Sequence, residues 1–600
     1  MSDSQAPRNR RAGGRAARVA ARLTPGADAI NPAPTGSTGG QYRPLTDSNC
    51  AQIIDAALTL LATVGIGEVP KVVRDLALQR GCQFDAHGRL LYSRDLVEDI
   101  VASTPKSVTL LGQDPRHDFE VKGQEVRFGT GGAAVQTLDI SNGNYRPSTL
   151  RDLYDFARLA DTLDNLCWFT RCCVATDVDD VFDLDINTAY AIAAGTTKPI
   201  GTSFSFGSHV DACVEMFDMM LGDVGAFSKR PFCKAHISPM ISPMRYGEDA
   251  VDVAIAALRH NMPINTITAA QAGATAPAPL AGMLAQSLAE TLAALVLIDL
   301  LKPGHPVIFS NWPFVVDLRT GAFAGGSAEM AILNAASAQL SNSLGLISGI
   351  GASMSDSKIP DAQAGYEKGL TALAAGLAGG NLVYESAGMF ASLLGVSFEG
   401  FVIDNEILGS VQRIIRGVEV NDDTLNLDAI EQTIRGAGHY LGGDQTLAAM
   451  QRDYYYPALS DRTSPVVWTE AGKHDIRQRA QLLSRDILAH HFPNHITYEA
   501  DRRVRSTFNI RLPRDCMKAM SGSLIRDQTL AVASGERGKA GPGPEDEMFR
   551  PPPRPYAGFS CPGAGNGPRL ADQATGRDGD EGFSVITRRS SWRFAARLAL

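Results

Sequence analysis

The run from Gly349 to Lys368 carries the densest set of chemically capable side chains in the sequence. Asp356, Lys358, Asp361 and Gln363 stand close enough together to share one small site, and the glycines at 349 and 351 allow a strand to end and turn beside them. Carboxylates next to an ammonium and an amide can orient a polar substrate, balance its charge or move a proton. Further candidates each follow a short apolar run: Thr130 and Gly131, Asp177, Phe204 and Phe206, His236 and Ser238, Gln271, Asn311 and Trp312, and Glu385 with Ser386. Lys198, Lys234 and Lys358 lie near such runs as well, and a lysine desolvated there can become a Schiff-base nucleophile, so a lyase or aldolase stands as an alternative chemistry. Metal chemistry has little support. The nine cysteines include no Cys-x-x-Cys pair, and His236 has only Cys233 beside it.

These groups meet only if their elements bring them to one end of a common frame. A short apolar, β-branched run followed by a longer amphipathic stretch recurs eight times, with strand candidates at Val126–Gly129, Trp168–Ala175, Pro199–Ser205, Phe232–Ile237, Ile264–Ala269, Pro306–Asn311, Leu344–Gly351 and Leu382–Ser386. Eight units at intervals of roughly 31 to 42 residues predict an α/β fold, a closed TIM-type (β/α)8 barrel over 126–400. Barrel enzymes draw their catalytic groups from the C-terminal strand ends, and that rule selects the residues named above. The helix after the first strand carries Leu153, Phe156, Leu159, Ala160 and Leu163 on one face, with Ser148 as its cap. An open doubly wound sheet is the rival fold, but Gly129-Thr130-Gly131-Gly132 lacks the dinucleotide-loop spacing.

Residues 42–125 read as an N-terminal helical cap, with helices opening at Thr46, spanning Pro70 to Gln79 and spanning Arg94 to Ser103, before strand-like alternation begins at Pro105. A C-terminal helical extension over 401–514 holds Glu406 to Arg416, Leu425 to Gly436, Gln445 to Arg452 and Asp475 to His491. The arginine-rich segment 1–41 and the Gly- and Pro-rich segment 515–600 read as disordered tails, and the Gly563–Gly567 run follows no strand.

A net charge of -9 argues against nucleic acid as a partner, because phosphate binding draws on surplus Lys and Arg. Hydrophobic residues at 44% suit a large packed core. Leu288 to Leu301 comes nearest to a membrane span and reads as a buried helix, and the N-terminus has no signal-peptide core, so a cytoplasmic protein with reduced cysteines and no membrane partner is expected.

The run SDSKIPDAQAGYEK, then NLVYESAGM and IDNEI, and finally GHYLGGDQTL with YYYPALSDR, recur in that order and resemble the trimethylamine methyltransferase family over about Tyr42 to Arg511. That resemblance implies a (β/α)8 barrel in one-carbon metabolism, related to methanogenesis enzymes, whose mouth takes a small methylated amine and docks a separate corrinoid protein. Founding members carry pyrrolysine in the mouth. This chain has only standard residues and looks like the pyrrolysine-free branch, whose donors are quaternary amines such as glycine betaine. Asp85-Ala86-His87-Gly88 opens a cobalamin-like motif, but position 90 is Leu, so no corrinoid is held permanently and the cobalamin comes from the partner.

A quaternary nitrogen donates no hydrogen bond and is best held by aromatic faces beside a carboxylate. For this substrate class Asp356, Lys358 and Glu385 are expected to be catalytic, and Trp312, Asn311, His236, Phe204, Tyr366 and Gln363 to bind substrate, with Phe206, Phe309 and Phe314 as further cage candidates. Lys358, Asn311 and His236 are the available partners for a substrate carboxylate. A non-catalytic amine-binding protein is a further alternative, and the sequence leaves homo-oligomerisation open.

Overall fold

The computed structural model describes residues 31–518, apart from 437 and 442. Eight strands surround one axis: β1 (Arg127–Phe128), β2 (Phe169–Thr170), β3 (Ile200–Thr202), β4 (Cys233–Ile237), β5 (Ile264–Thr268), β6 (Val307–Asn311), β7 (Gly349–Gly351) and β8 (Leu382–Tyr384). Strands β2 to β6 pair in parallel in sequence order, as do β7, β8 and β1. Both seams close. Phe309 of β6 bridges in parallel to Ser348 just ahead of β7, while Cys167 N donates to Phe128 O at 2.8 Å and Thr130 N to Trp168 O at 3.4 Å. Every residue of β4, β5 and β6 is buried, as expected of strands with a filled lumen on one side and helices on the other.

A helix follows each strand: α1 (Leu150–Thr162), α2 (Val181–Gly195), α3 (Gly207–Leu221), α4 (Glu248–Arg259), α5 (Leu280–Leu301), α6 (Ala328–Ser343), α7 (Ala362–Leu377) and α8 (Phe398–Arg416). The cap of α1 is Thr149 and not Ser148: Thr149 and Asp152 form a reciprocal capping box, while the buried Ser148 hydroxyl is engaged with Thr137 at 2.9 Å. Among the described residues one helix, α5, is long and apolar enough to cross a membrane, and 83% of that stretch is buried in the fold. It packs between the strands and the cap helix Asp47–Thr63.

The cap also holds helices Lys71–Gln79 and Arg94–Ser103 and the hairpin of Ser107–Leu110 with Phe119–Lys122. Two segment boundaries differ from those read in the sequence. Residues 31–41, expected in the basic tail, are tied to the barrel: Gly36 N donates to Val126 O at 2.9 Å, and Gly40 N and Tyr42 N both donate to Leu377 O. Their Gly and Pro content resembles a linker, yet their backbone donors are satisfied by the barrel. Helix α8 crosses residue 400, because the eighth unit needs its own covering helix.

Beyond α8 the extension adds Asp422–Leu425, Leu427–Arg435, Asp444–Arg452, Pro465–Glu470, Ile476–His490 and an unanticipated helix, Tyr498–Thr507. Buried Arg158 of α1 fastens it, donating to His491 O from Nε at 2.9 Å and Nη2 at 2.6 Å and to Leu488 O at 2.7 Å, with its guanidinium 3.8 Å from the centre of the Phe492 ring. Arg8 to Arg22, Gly563–Gly567 and the rest of the segment from 519 onward lie outside the described residues.

Candidate active site

The C-terminal strand ends enclose a cavity of about 80 Å³ lined by Gly132, Ala133, Thr170, Arg171, Ser203, His236, Ile267, Ala269, Trp312, Phe314, Glu385 and Leu393. Its deeper wall is built by strand alternation, which turns Thr170 and His236 into the lumen. Gly201 on β3 makes room for them, since a Cβ there would stand 2.9 Å from His236 Nε2 and 3.0 Å from Thr170 Oγ1 and Lys234 Cγ. Asn265 Nδ2 faces His236 Nδ1 at 3.4 Å, and Nε2 faces Thr170 Oγ1 at the same distance. An amide donor on Nδ1 places the imidazole proton on Nε2. Burial, helped by the charges of Lys234 and Arg171, holds His236 well below the usual histidine range and hence neutral.

The outer wall carries the opposing charge. Glu385 follows β8 directly with φ of 62°, a left-handed conformation costly for a residue with a side chain, and it turns the chain sharply at the barrel mouth. Glycines on the first loop accommodate its carboxylate: a Cβ on Gly131 would lie 2.8 Å from Oε1, and one on Gly132 2.9 Å from Oε2. Burial pushes the carboxyl up to about 8, although Arg171 and Lys368 pull the other way, and Oε2 has no hydrogen-bond partner among the described residues. Trp312 donates Nε1–H to Gly349 O at 3.1 Å, fixing its ring 5.8 Å from that of Tyr384 and 5.9 Å from that of Phe314.

The structure thus brings Glu385, Trp312, His236 and Phe314 together, with Gly131 against the Glu385 carboxylate, while the remaining candidates of the polar run and the other aromatics stand elsewhere. Asp356 staples loops: its carboxylate accepts from Gly325 N, Gly326 N and Ser392 Oγ at 3.0 to 3.2 Å. Gln363 supports Glu367 at 2.7 Å, and Glu367 in turn accepts from Ser355 Oγ and Asp356 N. Lys358 is exposed with its ammonium on the Asp356 carbonyl, Asp361 caps α7, and Tyr366 is 58% exposed. The polar run is therefore scaffolding at the rim, because consecutive loop residues satisfy one another before they reach the axis.

Asn311 and Phe309 lie on the strand face opposite Ser310 and Trp312, against the helices, and buried Phe204 and half-exposed Phe206 do not line the cavity. Lys198 spends its three protons on the carbonyls of Ala160, Leu163 and Leu166. The residue missed in the sequence is Arg171, the cation of the cavity wall. Its signal was a charge inside the run Trp168–Ala175, which reads as continuous buried strand.

The family model for trimethylamine methyltransferase (MTTB) matches residues 11–512. The chain belongs to the trimethylamine methyltransferase family. It is 29% identical over 470 residues to a glycine betaine methyltransferase of Desulfitobacterium hafniense, covering 78% of this chain and 96% of that protein. It is 28% identical over 459 residues to a trimethylamine methyltransferase of Methanosarcina thermophila, covering 76% and 94%. The solved monomethylamine methyltransferase of Methanosarcina barkeri matches at 14% identity with a TM-score of 0.40, over 75% of this chain and 95% of that one; the barrel itself rests on the strand register given above. This trimethylamine methyltransferase family member is a methyltransferase, and its family phrase NLVYESAGM, with β8 at its centre, carries Glu385 into the cavity.

Proposed function

We propose that this methyltransferase takes a methyl group from a small quaternary amine of the betaine class and passes it, in the cytoplasm, to the Co(I) centre of a separate corrinoid protein. The observation that carries this reading is the meeting of two aromatic rings, Trp312 and Phe314, with the carboxyl of Glu385 in one small cavity at the barrel mouth. Aromatic faces attract a cation that cannot hydrogen-bond, each contact contributing about 0.5–2 kcal/mol, more when water is excluded. The cavity is small, which suits a compact donor.

The partner's reduced corrinoid would supply a strong nucleophile that accepts the methyl group, and the carbon–nitrogen electron pair would leave on nitrogen as a neutral tertiary amine. The chain's own part is to desolvate the ammonium, hold one methyl toward the opening and exclude side reactions. No general base is needed. Exposed Phe182, Phe206, Leu318, Ile359 and Leu394, all on segments that leave the C-terminal strand ends, give the mouth an apolar rim suited to receiving the corrinoid partner. The eight described cysteines are free thiols, in keeping with a reducing compartment.

The test is incubation with reduced cobalamin, free or protein-bound, and a panel of betaines and trimethylamine, followed by methyl–cobalt absorbance. Methylation from a betaine is expected, with Trp312→Ala raising KM about tenfold and changing kcat less. No demethylation of any panel member would remove this reading.

A further inference from the structure

Lys234 lies deeper in the lumen than the cavity, outside its lining, on the strand that carries His236. It precedes His236 by two positions on β4, so both side chains enter the lumen and Lys234 lies roughly 6–7 Å deeper along the strand. It is 1% exposed, and among the described residues Nζ has no hydrogen-bond partner. What meets it are two ring faces, with the centroids of Trp168 at 5.1 Å and Tyr384 at 5.5 Å. Trp168 Nε1 and the Tyr384 hydroxyl are likewise buried without partners among the described residues. Tyr384 links the levels: its ring is 5.2 Å from His236 and 5.8 Å from Trp312. Gly201 keeps the space between Lys234 and His236 free of a side chain. Along the axis, then, a buried cation lies at the floor, Arg171 is in the wall, and the one carboxylate lining the cavity among the described residues, Glu385, is at the mouth.

From this arrangement we infer that Lys234 is a positioning residue, a cationic floor that draws the carboxylate of an ammonium–carboxylate substrate inward and leaves its methylated nitrogen beside Trp312 and Glu385 at the opening. The inference rests on the proposed methyl transfer and adds to it how the donor is oriented and which group orients it. A cation without a carboxylate gains nothing from the floor and is repelled by it, whereas a zwitterion lies along the field with its methyl groups toward the mouth. The charge states agree with this use. Burial holds Lys234 down to about 7 and Glu385 up to about 8, so neither charge is fully developed in the empty cavity, and a zwitterion develops both together. The other ionisable groups acting on this set are Cys233, His236, Arg171 and Lys368; Lys368 is paired with Asp404, and Arg171 feels Asp185 as well as Glu385.

Calorimetric titration of the full-length protein, without corrinoid, with glycine betaine and with tetramethylammonium tests the orientation. Wild type is expected to prefer glycine betaine. Lys234→Met and Lys234→Gln are expected to lose on the order of tenfold in glycine betaine affinity while tetramethylammonium affinity holds or rises, a change in ratio that a loosened fold does not produce. Lys234→Arg, which keeps the charge, should retain the preference. Equal losses for both ligands, an unchanged glycine betaine affinity, or a wild type that binds neither compound overturns the inference. Two results separate it from the function on which it rests. A wild type that binds with a Lys234-dependent preference yet never methylates Co(I) removes the proposed reaction and keeps the orientation; one that methylates Co(I) from both donors alike, unchanged in Lys234→Met, does the reverse.

Discussion

Glu385 concentrates the chemistry of the cavity in one side chain, and its environment makes two measurable statements. Its carboxyl is held near 8 by burial, so at neutral pH the empty site is largely protonated. A quaternary ammonium binds better to the carboxylate, so tetramethylammonium affinity should fall as pH drops through 8, and binding below that pH should release a proton into the buffer. Glu385→Gln should flatten this dependence, and a Glu385→Gln titration that still follows wild type would contradict the role. The second statement concerns stability. The folded carboxyl binds its proton more tightly than the unfolded one, whose ordinary value is 4.5, so the native state loses stability as pH rises from that value toward 8. Glu385→Gln should accordingly melt at a higher temperature than wild type at pH 8, as read by circular dichroism. The residue is legible in the sequence because it follows a strand; its left-handed φ and raised carboxyl are not, since the raised carboxyl comes from burial, against the pull of Arg171 and Lys368, and the packing against Gly131 and Gly132 is set by the loops that arrive around it.

The elements that hold this residue are joined by a buried ion pair. Lys368 of α7 and Asp404 of α8 approach to 2.9 Å with side chains 1% exposed, and the ammonium also donates to Ser353 O, lies 4.6 Å from the centre of the Phe390 ring, and shares Asp404 with Gly388 N. The pair fixes the turn after β7 and the loop after β8 against one another. Removing one partner strands a buried charge, so Asp404→Ala should cost about 3–5 kcal/mol in urea unfolding, while Lys368→Met with Asp404→Leu should cost less than either single change. Both residues fall in family phrases of the sequence, but their pairing across 36 positions is a product of helix packing and has no local signature. The reverse holds for Asp356, Lys358 and Gln363. Their nearness in the chain suggested a site, yet neighbours in a loop are the groups best placed to consume each other's hydrogen bonds.

At the scale of the molecule, the barrel, cap and extension form one body over residues 31–518, and the family match ends at 512. Arg514 still takes part, pairing with Asp501, which in turn holds Tyr190 of α2. A chain ending at Lys518 should therefore keep the melting temperature of the full protein and its methyl transfer, measured by absorbance at matched concentration. One ending at residue 511 should lose stability, because it sheds Arg514 and the Leu512 carbonyl that Arg505 uses.

By itself the sequence determined the barrel and which strand-end residues gather at its C-terminal end. Eight apolar runs alternating with amphipathic stretches can bury their surfaces together in few other ways, and side-chain alternation then decides which residues enter the lumen. The order of its phrases determined the family. Only the tertiary structure decided which of the many polar strand-end groups meet. It set Arg171 opposite Glu385, left Asn311 behind the wall and put Lys234 under the floor, because convergence at a barrel mouth depends on strand tilt, glycine notches and loop paths that no local spacing encodes.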